Sequence, residues 1–155
     1  MSRAFKETYA DIKIASPLKR LGAFVYDLML VAALLMVSTG VLMTINGGEA
    51  LDTSPYFAVY QSALFIIVYL FLSFFWMRNG QTLGMLAWRL RVQTSEGYRL
   101  NFTQSLIRYI VGIISLSAFG VGFLWMFINK QKMTWHDLAS GTHVVELPKN
   151  ARILE

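Results

Sequence analysis

Long apolar stretches dominate the sequence, and polar connections separate three of them. The first runs from Leu21 to Ile45 and follows Ser16 and Pro17, which suit the N-cap and first position of a helix. The second runs from Phe57 to Met77, and the third from Ser105 to Ile128. At about 1.5 Å per helical residue, the first two cross a bilayer core of about 30 Å. The pattern predicts an all-α membrane protein with two transmembrane helices plus a third apolar segment.

The third apolar segment fits two structures. Arg108 lies near its start, and Gly112 and Gly120 interrupt it, so it is either one span or two short helices folded back on each other. A full crossing would leave Lys130 and Lys132 on the outer side, against the positive-inside rule. We therefore expect a bent or re-entrant segment, and a third span stays open as the alternative.

Basic residues set the expected topology. All 14 Lys and Arg residues lie near the N-terminus, between residues 78 and 108, or after Ile128. Two crossings place every one of them on the cytoplasmic side. The N-terminal segment (1–15), residues 78–104 and the C-terminal tail (148–155) are thus predicted to be cytoplasmic, in a bacterial inner (plasma) membrane.

The polar connection after the second span carries its own pattern. "QTLGMLAWRLRV" places apolar residues at helical spacing beside Trp88 and two arginines, which predicts a short helix lying in the membrane interface. The alternation in "RLRVQ", the turn residues "TSEG" and the following "YRLNF" predict a small β-hairpin over Arg89 to Phe102. We expect the helix to end near Trp88, with the hairpin on the cytoplasmic side.

Composition supports a single membrane domain over residues 1–155, with a core of about 16–147. The chain is 55% hydrophobic and only 15% charged, which is too apolar for an ordinary soluble domain. Its net charge of +5 comes from residues beside apolar runs, so anionic lipid headgroups explain it better than nucleic acid. We expect Arg78, Arg89 and Arg91 to face lipid.

Four charged residues lie in or next to apolar segments: Arg20, Asp27, Arg108 and Asp137. Asp27 lies about 9 Å past Leu21 along a helix, where a bare charge is costly, so it must be protonated, in contact with water or paired. Arg20 is about 10.5 Å away along the axis, which is far for a direct pair. We expect Asp27 to pair with Arg108, and Arg20 and Asp137 to form a second clamp at the cytoplasmic surface.

His136, Asp137 and His143 in the segment "MTWHDLASGTHVVEL" are candidate metal ligands. A metal would need further ligands, and the chain has only two histidines and no cysteine. We expect a capped surface turn, in which Asp137 is an N-cap or an arginine partner, followed by a short strand in "THVVEL". No catalytic or nucleotide-binding pattern occurs, so we expect neither a cofactor nor enzymatic activity.

Taken together, Arg20, Asp27, "GQTLGMLAWRLRV" at 80–92, Arg108 and "HDLASGTHVV" at 136–145 resemble the RDD membrane proteins, which are named for one arginine and two aspartates. The likeness covers about residues 16–147. The resemblance implies a small membrane domain and transport of ions or other ligands, with sodium/proton antiport in at least one member.

Two functions follow from these expectations. The first is a proton-coupled cation transporter or exchanger, in which Asp27 alternates between a proton or monovalent cation and an arginine. The alternative is a non-catalytic membrane module that binds anionic lipid or a partner membrane protein. For transport, we expect a homo-oligomer, because two or three spans cannot surround a polar pathway alone.

Overall fold

The computed structural model describes residues 4–5, 12–48 and 57–148. The predicted N-terminal segment (1–15) and tail (148–155) therefore lie largely outside the described residues. Within the described ranges, the elements in chain order are β1 (Lys13–Ile14), α1 (Pro17–Ile45), α2 (Phe57–Arg78), α3 (Leu83–Ala87), β2 (Leu90–Thr94), α4 (Phe102–Ser117), α5 (Val121–Ile128), α6 (Trp135–Ser140) and β3 (Thr142–Glu146).

Helices α1 and α2 are the two described helices that are long and apolar enough to cross a membrane. Helix α1 begins where the sequence predicts: the Ser16 hydroxyl accepts a hydrogen bond from the Lys19 backbone N–H, and Pro17 takes the first turn. Large apolar side chains on its surface, such as Met29 and Met36, are exposed. Exposure of this kind suits contact with lipid, so the two predicted spans are confirmed.

The third apolar segment is bent. Helices α4 and α5 meet at an angle of 97°, across a turn in which Phe119 and Gly120 have positive φ. Gly122 allows α5 to pack closely on α4, because a Cβ there would lie 2.1 Å from the Ser115 hydroxyl oxygen. The predicted bend is therefore confirmed. It results from the left-handed backbone conformation of Phe119 and Gly120, which ends α4 before α5 begins.

The strands form one antiparallel sheet in the order β1-β3-β2. The strand predicted in "THVVEL" is confirmed as β3, which is the central strand. Residues 89–102 differ in detail from the predicted hairpin: β2 forms, and the Thr94 N–H donates to the Tyr98 carbonyl in a turn, but the partner of β2 is β3. Val144 and Val145 of β3 are almost fully buried, and cross-strand contacts with such apolar residues stabilise the pairing of β2 with β3.

This sheet restricts the path of the bent segment. Strand β2 precedes α4 and β3 follows α5, yet the two strands are neighbours. Near the end of α5, the Lys132 carbonyl accepts a hydrogen bond of 2.6 Å from Arg20, at the start of α1. The α4–α5 pair thus leaves and returns to one side of the protein, which favours the re-entrant alternative over a full crossing.

The short helix α3 confirms the predicted helix that ends near Trp88, and it lies against α1. Its N-cap is Thr82, whose hydroxyl accepts from the Met85 N–H. Trp88 packs over Gly22 of α1, where a Cβ would lie 2.6 Å from the indole ring. A glycine on one helix and an aromatic residue on the next therefore set how closely α3 approaches the membrane helix.

The three arginines expected to face lipid have different environments. Arg78 is exposed at the end of α2, with its guanidinium 5.5 Å from the Phe74 ring centroid. Arg89 is half-buried. Arg91 is only 5% exposed and donates to the Gln93 side chain at 3.0 Å. The prediction that Arg91 faces lipid is wrong, because it lies in the buried strand β2 and is covered by the Phe5 ring.

Candidate functional site

Asp137 lies at the centre of a buried charge cluster on α6. The Thr134 hydroxyl accepts from the Asp137 N–H at 3.4 Å, and the Asp137 carboxylate accepts from the Thr134 N–H at 3.0 Å. This reciprocal capping box fixes the first turn of α6. Gly141, with φ +62°, ends the helix in the left-handed conformation. Contacts within residues 134–141 therefore position the carboxylate independently of its arginine partners.

Two arginines from different helices bind this one carboxylate. Arg20 of α1 donates to Oδ2 and Arg108 of α4 donates to Oδ1, the latter at 2.7 Å. Asp137 is 0% exposed and Arg108 is 2% exposed. Arg108 also donates to the Thr142 hydroxyl. We call Arg20, Arg108 and Asp137 the arginine–aspartate cluster, and it joins α1, α4 and α6.

The electrostatics of the arginine–aspartate cluster favour an ionised carboxylate. Burial alone would raise the pKa of Asp137, but the Arg20 and Arg108 charges outweigh burial and hold that pKa well below its usual range. The cluster still carries one positive charge more than negative. Its charges are buried and bound to each other, so it acts as a structural clamp between helices.

The predicted pair between Asp27 and Arg108 is wrong, whereas the predicted clamp between Arg20 and Asp137 is confirmed. Asp27 accepts from the Gly84 N–H at 2.8 Å and from the Thr82 hydroxyl at 2.5 Å. The Thr82 hydroxyl and a backbone N–H at the start of α3 donate the hydrogen bonds that a paired cation would otherwise donate to Asp27. Arg108 is directed instead to Asp137, which lies on the element packed against α4.

Gly84 permits the contact between α3 and Asp27. A Cβ at this position would lie 2.3 Å from the Ala23 carbonyl oxygen and 2.8 Å from Asp27 Oδ1. Only glycine lets the α3 backbone approach α1 this closely. The "GQTLG" motif at 80–84 is therefore the docking point of α3 on α1.

A cavity of about 680 Å³ lies between α1, α2, α4 and α5. Its size is typical of small-molecule sites, and its wall is mostly apolar. The polar or titratable side chains lining it are Arg20, Asp27, Gln61, Thr82, Arg108, Tyr109, Thr134 and His136. Both arginines are bound to Asp137 and almost fully buried. Asp27 is half-buried, and no ion pair within 4 Å joins it to any cation in the described residues.

His136 lies at the edge of the arginine–aspartate cluster. Its Nε2 is 3.0 Å from the Thr134 hydroxyl, and its buried Nδ1 has no hydrogen-bond partner within the described ranges. Burial lowers the pKa of His136 to about 3, and the charges of Arg108 and Arg20 act in the same direction, against Asp137. The imidazole is therefore neutral at physiological pH. Within these same ranges, no group of three His, Asp or Glu side chains is placed to hold a metal ion.

Because His136 is neutral in the folded protein, we expect the stability of the protein to depend on pH. The unfolded chain takes up a proton at His136 near pH 6.5, while the folded chain does so only near pH 3, so stability is full above about pH 6.5 and falls below it. From pH 7.5 to pH 5 we expect a loss of about 2 kcal/mol from this group. Thermal unfolding in detergent across this range measures it.

The control for that measurement is His143→Gln, a change to the half-buried histidine of β3. Burial also lowers the pKa of His143, but its partial exposure predicts a smaller change in slope. His136→Gln should flatten the pH dependence of stability markedly. Equal slopes for the wild-type protein and His136→Gln would contradict a neutral buried imidazole.

Sequence reasoning missed four residues that complete these contacts: Thr82, Gly84, Thr134 and Thr142. One signal was available, because Thr134 and Asp137 have the spacing of a capping box before a short helix. Nothing in the local pattern indicated that Thr82 and Gly84 would bind Asp27. That contact depends on how α3 docks, and it joins residues more than 50 positions apart.

Comparison with known proteins agrees with this architecture. The RDD family model matches residues 14–141, a range that contains Asp27 and the arginine–aspartate cluster. Searches of curated proteins and of solved structures returned no match. The matched range contains every helix from α1 to α6 and ends just before β3. Because the match covers most of the chain, the protein belongs to the RDD family of membrane proteins.

Proposed function

We propose that the protein is a proton-coupled cation transporter or exchanger, in which Asp27 binds the cation and the proton in turn. The observation that carries this proposal is the position of Asp27. Its half-buried carboxyl group lies in the wall of the interhelical cavity, and neutral donors hold it. A carboxyl group held in this way binds a cation without first displacing an arginine.

The arginine–aspartate cluster has a different role in this proposal. Its three side chains bind one another in a buried environment, so they fix α1, α4 and α6 around the cavity. The competing arginine expected from the sequence is therefore unnecessary. The titratable groups that face the cavity besides Asp27 are Arg20, Arg108, Tyr109 and His136. Asp27 is the accessible acid among these groups.

Assembly is part of the proposal. The cavity is bounded by apolar helices, and the side chain of Phe119 in the α4–α5 turn is 97% exposed. One copy of the chain does not enclose a polar pathway through the bilayer. We propose a homo-oligomer, in which a second copy covers the open side of the cavity.

Flux through liposomes tests the proposal. We expect purified wild-type protein to exchange protons for a monovalent cation, supplied as a gradient of sodium, potassium or an organic ammonium ion. Asp27→Asn should reduce this flux to the rate of protein-free liposomes. The asparagine keeps an oxygen to accept from Gly84, so the docking of α3 is preserved while the charge is removed. Glu96→Gln is the matched control, because it removes an exposed carboxylate in the turn after β2, and it should leave flux unchanged.

A lipid-binding module is the second candidate function. It is favoured by Arg78, which is exposed at the end of a membrane helix where anionic headgroups lie. The arginines of the cavity do not support it, since Asp137 binds both of them. A wild-type protein without flux, which binds anionic liposomes more tightly than Arg78→Gln does, would favour this module and contradict transport.

A further inference from the structure

Aromatic side chains line part of the cavity, and one of them is next to Asp27 on α1. Phe24 precedes Asp27 by three residues on α1, so the two side chains leave neighbouring positions on one face of the helix. The Phe24 ring packs against the Phe123 ring of α5, with 4.9 Å between centroids. Further aromatic side chains line the cavity from α2, α4 and the α4–α5 turn: Trp76, Tyr109 and Phe119.

The cavity offers few oxygen ligands for an inorganic ion. A cation that has lost its water needs a shell of oxygen atoms from carboxylates, carbonyls or hydroxyls. Near Asp27 the structure supplies the Thr82 hydroxyl, which already donates to this carboxylate, and the wall is otherwise mostly carbon. Gln61 is the one side-chain amide that lines the cavity in the described part of the chain.

We propose that the cation bound at Asp27 is a lipophilic organic cation, such as an ammonium or phosphonium whose charge is surrounded by carbon. This inference rests on the proposed function and names its substrate class. Such a cation needs no oxygen shell, because aromatic faces attract its charge and apolar walls bury its carbon groups. Asp27 supplies the one negative charge that such a ligand requires.

The excess positive charge of the arginine–aspartate cluster opposes this binding, but more weakly. Asp27 lies about 10 Å along α1 from Arg20, whereas a bound cation approaches the Asp27 carboxylate to about 4 Å. Coulomb energy falls with distance, so direct contact with the Asp27 carboxylate outweighs the excess charge of the more distant cluster. Asp27 therefore determines the sign of the charge that the cavity accepts.

Calorimetric titration of the purified protein in mild detergent with tetraphenylphosphonium chloride tests the inference. We expect Asp27→Asn to weaken binding about tenfold or more and Phe24→Leu to weaken it about two- to fivefold. Glu96→Gln should bind like the wild-type protein, and excess sodium chloride should not displace the ligand. If Asp27→Asn does not yield folded protein, the affinity of Phe24→Leu for tetraphenylphosphonium tests the inference instead, and affinity equal to that of the wild-type protein would overturn it.

The outcomes separate this inference from the transport function. Equal binding by the wild-type protein and Asp27→Asn, or no binding at all, would overturn it. Sodium or potassium flux that depends on Asp27, without tetraphenylphosphonium binding, would also overturn it but would leave the transport function standing. Binding that depends on Asp27, without any proton-coupled flux, supports the cation site and would contradict transport.

Discussion

Replacing Asp137 by alanine is expected to lower the free energy of unfolding by about 3–5 kcal/mol, the usual cost of breaking a buried ion pair. The substitution leaves Arg20 and Arg108 close together in a buried site, with no negative charge between them. It also removes the carboxylate that accepts a hydrogen bond from the Thr134 N–H in the capping box of α6. Thermal unfolding in detergent, together with the yield of folded protein, measures the loss.

A matched control comes from a surface pair on the same side of the protein. Lys19 and Glu146 form an ion pair whose side chains are 40% and 32% exposed, so Glu146→Gln should cost less than about 1 kcal/mol. Combining Asp137→Leu with Arg108→Met should cost less than the sum of the two single changes. Strict additivity, or an Asp137→Ala protein as stable as Glu146→Gln, would contradict the cluster.

Gly84→Ala is expected to separate α3 from α1. The new Cβ would lie 2.3 Å from the Ala23 carbonyl oxygen, and a backbone atom in a long helix cannot move aside cheaply. We expect a loss of about 1–3 kcal/mol in stability, as for overpacked cores. Flux and tetraphenylphosphonium binding should weaken too, because the Gly84 N–H that holds Asp27 shifts.

The same substitution at Gly40 provides the control. Gly40 lies in α1 with nothing within 4 Å of the position of a Cβ, so alanine there should be neutral or stabilise the helix by about 0.5–1 kcal/mol. Thermal unfolding of the two variants side by side makes the comparison. If Gly84→Ala is as stable as Gly40→Ala, α3 does not dock on α1 as described.

The sequence predicted the elements well and their contacts less well. Spans follow from the length of apolar runs, and the first turn of α1 follows from Ser16 and Pro17, so both are local properties. The partner of Asp27 is not local. Arg108 and the start of α3 could each donate hydrogen bonds to the Asp27 carboxylate. Which of them does so depends on which element packs beside α1.

The sheet shows the same limit. The turn residues after Gln93 favour a local hairpin, and that turn does form, yet β2 pairs with a strand about 50 residues later. Sequence pattern predicts that residues 142–146 are a strand, but it does not predict which strand lies beside them. Apolar burial on both sides of β3 decides the pairing, and that burial exists only in the folded protein.

The central position of β3 has a consequence for biosynthesis. Of the strands in this sheet, the central one leaves the ribosome last, after both spans and the bent segment have met the membrane. Strands β1 and β2 therefore stay unpaired until β3 is synthesised, and closing the long loop between β2 and β3 is slow. If the bent segment were inserted straight through the bilayer, β3 would emerge on the wrong face and the sheet would stay open. Completion of the sheet thus reports that insertion has succeeded, and chains inserted wrongly present unpaired strand edges.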